Sequence, residues 1–187
     1  MAAKGKITQD LIICEALQIA DCEGVAAVTM ATLARQLSIK PPSLYNHFAG
    51  LDQIRKGMAL LAMNHMFDKL VTGTAGKNQG NEKIHALSES YISFAREHPG
   101  MYESTLLTPD AQDHEVQEAG NKIVSLTMDV FIHFKLDEVT HIHVVRALRS
   151  MLHGLVDLQQ KGGFQQAVDL EDSRRVMVEM LIRGIEV

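Results

Sequence analysis

Within the stretch LSIKPPSLYNHF, Leu37 to Phe48, a Pro41-Pro42 pair is surrounded by side chains of different hydrogen-bonding type. Lys40 supplies a cation, Ser43 and Tyr45 hydroxyls, Asn46 an amide and His47 an imidazole. Together they can hold phosphate oxygens and read base edges. Two other constellations carry potential chemistry. Glu82 with His85, and Glu138 with His141, are Glu-x-x-His pairs, the spacing with which helical bundles hold two metal ions when further carboxylates join them. Both pairs fall in the first turn of their expected helices, where the helix dipole by itself favours Glu and a metal would be poorly enclosed. No Cys–His pairing and no Ser, His and Asp order offers a nucleophile. The expectation is therefore no catalytic residue, no metal site and no cofactor, with a carboxylate-bridged di-metal enzyme as the competing reading.

The elements that must position these residues are helices. Ile12, Ala16, Ile19 and Ala20, with Ile13 and Leu17 beside them, make an apolar stripe that ends at Glu23-Gly24. Thr29 can cap a short second helix carrying Met30, Leu33, Ala34 and Leu37, followed by a turn at Ser38-Ile39-Lys40. The prolines suit the first turn of a third helix, since the donors they lack have no intrahelical partner there, and Lys40 is pushed extended. A long helix over about 51–71 comes next, then the polar linker TGTAGKNQGN. Ile84, Leu87, Tyr91, Phe94 and Ala95 share a later helical face that HPG at 98–100 breaks. Further helices are expected around Gly120 to Phe134, from Asp137 to Gln160, and from Leu170 or Glu171 onward with Met177, Met180, Leu181 and Ile185 apolar. The fold class is all-α, with about nine helices.

Two short helices joined by a tight turn, with a preceding helix to pack on, form a helix-turn-helix, whose second helix lies in the DNA major groove. Leu44 and Phe48, four residues apart, then point inward, while Lys40, Pro41, Ser43, Tyr45, Asn46 and His47 face DNA and Thr29 flanks them at the start of the preceding helix. The alternative is a solvated face of a small bundle.

The run from Met30 to Met58 carries Leu33-Ala34, Ile39 and Leu44-Tyr45-Asn46-His47-Phe48 in the order and spacing of one bacterial regulator family. It resembles the tetracycline-repressor (TetR) family of transcriptional regulators over roughly the first third of the chain. That resemblance implies that Tyr45 and His47 hold phosphates and Ser43 lies nearer the bases. It also implies a homodimer on a palindromic double-stranded operator and a small-molecule effector that releases it. Two departures stand out: Ser38 replaces the usual turn Gly and must go left-handed or alter the turn, and Leu51 replaces a Lys that meets phosphate. Arg55 and Lys56, or Lys4 and Lys6 from the N-terminal arm, can compensate. YISFAREHPGMYESTL from Tyr91 and RSMLHGLVDLQQKGGF from Arg149 resemble the C-terminal subclass named for Trp-His-Gly, with Leu152 in the Trp place before His153-Gly154.

These readings divide the chain into a helix-turn-helix domain, 1–50, and a helical ligand-binding and dimerisation domain, 51–187. Tyr91, Phe94, Met101, Tyr102, Phe131 and Phe134 can line an apolar effector cavity or form plain core. Arg146 and His153 belong to a polar stripe, His143, Arg146, Ser150, His153 and Asp157, that can face the pocket, a dimer seam or solvent. Gly154 inside that helix costs about 1 kcal/mol relative to Ala and suggests close approach by another backbone.

Composition bounds the rest. With 187 residues, 46% hydrophobic, 22% charged and net charge −5, the chain can bury a core, divided into two unequal modules at most. Up to Lys56 there are six Lys/Arg against five Asp/Glu, so the small positive balance sits on the segment expected to meet DNA. With so few cations, binding needs two copies, their recognition helices roughly 34–36 Å apart. Cys14 and Cys22 are expected as small buried residues in a reducing compartment. No apolar run spans a bilayer and no signal peptide is visible, so no membrane association and a cytoplasmic location are expected. A constitutive DNA-binding protein without a ligand is the other alternative.

Overall fold

The computed structural model describes residues 7–107, 109–110 and 112–186. Among them are nine α-helices and no strand: α1 Gln9–Glu23, α2 Met30–Gln36, α3 Pro41–Leu44, α4 Leu51–Thr74, α5 Asn81–Glu97, α6 Pro99–Ser104, α7 His114–Phe131, α8 Glu138–Gln160 and α9 Leu170–Ile185. Short 3₁₀ turns lie at Val25–Ala27 and Ile132–Phe134. Packing groups the chain into two units. The first runs to His65 and takes in His98–Ala119; the second comprises Met66–Glu97 and the residues from Gly120 onward. The division at residue 50 follows the motif, whereas this one follows packing, and α4 and α7 each lend residues to both units.

The first unit is built on α1. Thr8 is extended and its side-chain oxygen accepts the Leu11 N–H, which starts the helix; Gly24, at φ 87°, stops it by donating its N–H to the Ala20 carbonyl. Ile12, Ala16, Leu17, Ile19 and Ala20 are buried as the stripe requires. Cys14 and Cys22 are not: both are exposed. Their eight-residue spacing does place them near one another on the helix, but on the strip that leads away from the buried side chains.

Expected only as a break, the HPG sequence begins a helix. His98 is the residue before α6, and Pro99 takes its first position. Gly100 lies so close to α1 that a Cβ would stand 2.1 Å from the Ala20 carbonyl carbon. The Asp21 carboxylate accepts the Met101 N–H at 2.9 Å, satisfying a donor that no short helix can satisfy internally, and His98 Nδ1 is 3.4 Å from the same carboxylate. Helix α6 is therefore pinned to the end of α1.

In the second unit α5, α8 and α9 pack on one another. Ile84, Leu87, Tyr91, Phe94 and Ala95 face inward from α5, together with Ser88 and Ser90, whose hydroxyls donate to the Ile84 and Ala86 carbonyls. Helix α4 continues to Thr74, three residues past its expected end, and within this last turn a Cβ on Gly73 would stand 1.8 Å from the Ser90 oxygen, so only Gly allows so close a crossing. Asp137 and Asp169 cap α8 and α9 by accepting N–H groups of their first turns. Helix α8 buries Val144, Val145, Leu148, Leu152, Leu155 and Val156, each such side chain contributing on the order of 1.5–3 kcal/mol of transfer free energy.

Helix α9 turns differently from the expected stripe. It buries Arg174, Val178 and Ile182, while Met180 is 68% exposed and Val176 is also exposed. The rotation follows from Arg174, whose guanidinium donates to both Glu171 carboxylate oxygens and to the His85 carbonyl, so that a charged residue takes a core position.

Candidate nucleic-acid interface

Helix α2 begins with a reciprocal cap: the Thr32 N–H donates to Thr29 Oγ1 at 3.1 Å and the Thr29 N–H to Thr32 Oγ1 at 2.9 Å. Thr29 is exposed, so its hydroxyl both starts this helix and lies at the surface. At the other end Leu37 is still right-handed and Ser38 takes φ 54°. The Ser38 N–H then reaches the Arg35 carbonyl at 3.1 Å and the Ile39 N–H the Ala34 carbonyl at 2.9 Å, the pair of bonds of a Schellman closure. Ser38 thus does adopt the left-handed conformation expected of the missing Gly.

Lys40 is extended and Pro41 and Pro42 occupy the first two positions of α3, as their sequence requires. The helix itself is only Pro41–Leu44, shorter than the one and a half turns expected. Beyond it the chain continues as turns, with the His47 and Phe48 N–H groups both donating to the Leu44 carbonyl at 2.9 and 3.0 Å. The prolines suit the first turn and do not shorten the helix, but a tail carrying Tyr, Asn and His in succession has weak helix propensity. The division of labour nevertheless holds: Leu44 is fully buried, Phe48 is 7% exposed and Tyr45 is 57% exposed. Lys40, Pro41 and Asn46 are exposed, and Ser43 and His47 half-buried.

Two glutamines that no motif marks hold this segment. Gln9 donates its side-chain amide to the His47 carbonyl at 2.6 Å, and Gln53 accepts the Ala49 N–H at 2.8 Å. No spacing rule points to Gln9, which is 38 residues from its partner.

The accessory cations behave unequally. Arg55 is half-buried, 3.5 Å from Asp52. Lys56 is committed elsewhere: its ammonium lies 2.7 Å from Asp113 and 2.5 Å from Glu115. Asp113, then Glu115, raise the Lys56 pKa by hydrogen bonding, and Lys56 in turn draws Asp113 below its ordinary value. Lys4 and Lys6 lie outside the described residues.

The cavity residues are dispersed. Tyr91, Phe94 and Phe131 are core of the second unit, with the Phe131 and Phe134 rings 6.1 Å apart, whereas Met101 and Tyr102 are buried in the first. Arg146 is exposed and His153 half-buried. A groove of about 690 Å³ in the second unit is lined instead by His85, Glu89, Arg174, Arg175, Glu179 and Met180, among others. A Cβ on Gly154 meets nothing within 4 Å, so no backbone among the described residues explains that glycine.

The Glu-x-x-His pairs do not converge. Glu82 accepts from the Asn78 side chain at 2.7 Å, which holds its carboxyl below the ordinary range, His85 Nε2 is 3.7 Å from Glu179, and His141 Nε2 is 2.9 Å from the Met128 carbonyl. Among the described residues no three His, Cys, Asp or Glu side chains are grouped to hold a metal, and no helix is long and apolar enough to cross a membrane.

Comparison with known proteins extends this geometry. Residues 84–181 match the family model described as the tetracyclin repressor-like C-terminal domain, a description that names the family and not the Trp-His-Gly subclass. The chain is 33% identical over 186 residues to the uncharacterized HTH-type transcriptional regulator YobS of Bacillus subtilis, covering 99% of this chain and 96% of that protein. In fold it is similar to a protein of unknown function from Rhodococcus, with TM-score 0.84 at 15% identity and full coverage of both chains. It is also similar to a TetR variant of Acinetobacter baumannii in complex with minocycline, with TM-score 0.69 at 16% identity over 97% of each chain. An exposed Tyr-Asn-His turn on a Schellman-closed helix pair, a matching C-terminal domain and full-length similarity to a helix-turn-helix regulator have one explanation: the chain belongs to the TetR family of DNA-binding transcriptional regulators.

Proposed function

We propose that the protein is a ligand-responsive repressor that binds a palindromic operator as a homodimer in the cytoplasm. The carrying observation is the segment Lys40–His47, in which Leu44 and the adjoining Phe48 are buried anchors and Lys40, Tyr45 and Asn46 stand in solvent. Tyr45 and His47 suit phosphate oxygens, and Lys40, Ser43 and Asn46 suit base edges or neighbouring phosphates. Pro41 packs the approach to the groove, Thr29 can donate from the start of α2, and Arg55 adds a cation. Lys56 stays with its two carboxylates.

Release follows from differential binding. An effector that prefers the DNA-incompetent arrangement by about 1.4 kcal/mol weakens operator binding tenfold. Support for an effector comes from the family relation and from the minocycline bound by the Acinetobacter neighbour; an apolar effector would have to open space among the buried aromatic side chains Tyr91, Phe94 and Phe131. Selection of bound sequences from a random duplex pool tests the DNA reading. Two inverted half-sites spaced for successive major grooves are expected, and enrichment of unpaired half-sites would exclude dimeric docking. A metabolite screen for release of the selected duplex tests the effector; equal affinity throughout would favour a constitutive DNA-binding protein.

A further inference from the structure

The DNA-facing turn is poorly secured by its own backbone. Helix α3 ends at Leu44, and the next two backbone bonds, from the His47 and Phe48 N–H groups, share a single acceptor, the Leu44 carbonyl. Beyond that closure the buried Phe48 side chain and the Ala49 N–H bond to Gln53 lead the chain on. The His47 carbonyl itself is held from outside the segment, where the Gln9 amide donates to it at 2.6 Å. Gln9 is the first residue of α1, and its backbone is held by the Thr8 cap one residue earlier. A second side-chain tie, from the Gln36 amide to Glu15, joins α2 to the same helix at 3.0 Å. Helix α1 therefore grips both members of the helix pair by side-chain hydrogen bonds.

We propose that Gln9 is a positioning residue for DNA binding: by tying the His47 carbonyl to the start of α1, it sets the orientation in which Tyr45, Asn46 and His47 meet the duplex. This rests on the reading of Lys40–His47 as the DNA face. A neutral amide suits the task, because a carboxylate has no proton to give a carbonyl and would oppose phosphate close by. The bond is at the surface, so its loss leaves the buried anchors Leu44 and Phe48 in place and frees the turn to sample other orientations.

The test uses the full chain and the most enriched duplex from random-pool selection, at an ionic strength low enough for all variants to bind. Gln9→Met keeps the side-chain length and removes the donor. It should weaken binding roughly three- to tenfold, the span of one neutral hydrogen bond, and should speed amide exchange at His47 and Phe48 while leaving Ile12 unchanged. In a Tyr45→Phe/Asn46→Ala/His47→Ala background, where the side chains being positioned are already cut back, the same change should cost less than about twofold. A full-sized loss in that background would place Gln9 on the DNA itself and overturn the positioning role. Unchanged affinity for Gln9→Met, with the background variant weakened, would overturn this inference alone. A background variant that binds as tightly as the parent would remove the DNA-face reading and this role with it.

Discussion

At the residue scale, the exposed Tyr45 and the half-buried His47 are the groups most directly open to measurement. Tyr45→Ala and His47→Ala are expected to weaken binding to every duplex, and Tyr45→Ala to do so with the salt slope unchanged, since a neutral hydroxyl displaces no counterion. Fluorescence anisotropy across a salt series reads both. Lys40→Gln and Ser43→Ala should change sequence preference instead. Arg174 carries a stability prediction. Its side chain is 3% exposed and bonded to Glu171 and the His85 carbonyl, so Arg174→Met, which removes these bonds and leaves Glu171 only the longer 3.3 Å bond from Arg175, should cost about 2–3 kcal/mol by urea denaturation. Arg174 holds the Glu171 pKa below its ordinary value. A depressed carboxylate contributes stability above its unfolded pKa and loses it as pH falls through the folded one, so this contribution is complete at neutral pH and disappears only below roughly pH 4. The buried anchors Leu44 and Phe48 and the exposure of Tyr45 were legible because a helix-turn-helix fixes which few positions face its partners. Arg174 was not, because Glu171-x-x-Arg174 reads as an ordinary surface pair until packing puts the Arg inside.

At the element scale, α6 shows how a break signal conceals a structural part. Gly100 permits α6 to lie against the Ala20–Asp21 backbone, and Gly100→Ala is expected to destabilise by on the order of 2–3 kcal/mol through overpacking. Thermal unfolding measures it; a change within about 0.5 kcal/mol, the ordinary surface range, would mean that α6 does not press on α1 in solution. The Lys56–Asp113–Glu115 cluster is expected to be insensitive to pH across the neutral range. Lys56 is raised and Asp113 lowered, so the pairing weakens only above the ordinary lysine range or below the ordinary carboxylate range. The start of α2 was readable from its cap Thr29, since capping is local chemistry, whereas α7 begins at His114, well before the expected Gly120. The ends of α3 and α4 were not readable: α3 stops at Leu44 and α4 runs on to Thr74.

At the scale of the whole molecule, the outward faces of the last two helices bear on assembly. Met180, Val176 and Leu158 are exposed apolar residues, and Gly154 and Gly184 have open space where a side chain would stand. Isolated apolar residues at a surface are ordinary, but two helices that each combine them with an unoccupied glycine suit a second copy. Met180→Glu is expected to shift the protein toward monomer in analytical ultracentrifugation and to weaken binding to a two-half-site duplex far more than to a single half-site. A monomeric parent would exclude the dimeric repressor.

The amino-acid sequence alone determined the helical class, the start of α2 at its Thr29 cap, the turn at Ser38 and the family motif around Tyr45-Asn46-His47, because periodicity, caps and a short motif act over a few neighbouring positions. The tertiary structure decided that Cys14 and Cys22 face solvent, that α9 turns Arg174 inward, that Lys56 is held by carboxylates far along the chain, and that Gln9 holds the His47 carbonyl. Each of these depends on which surfaces meet across long stretches of sequence, and local pattern carries no record of that.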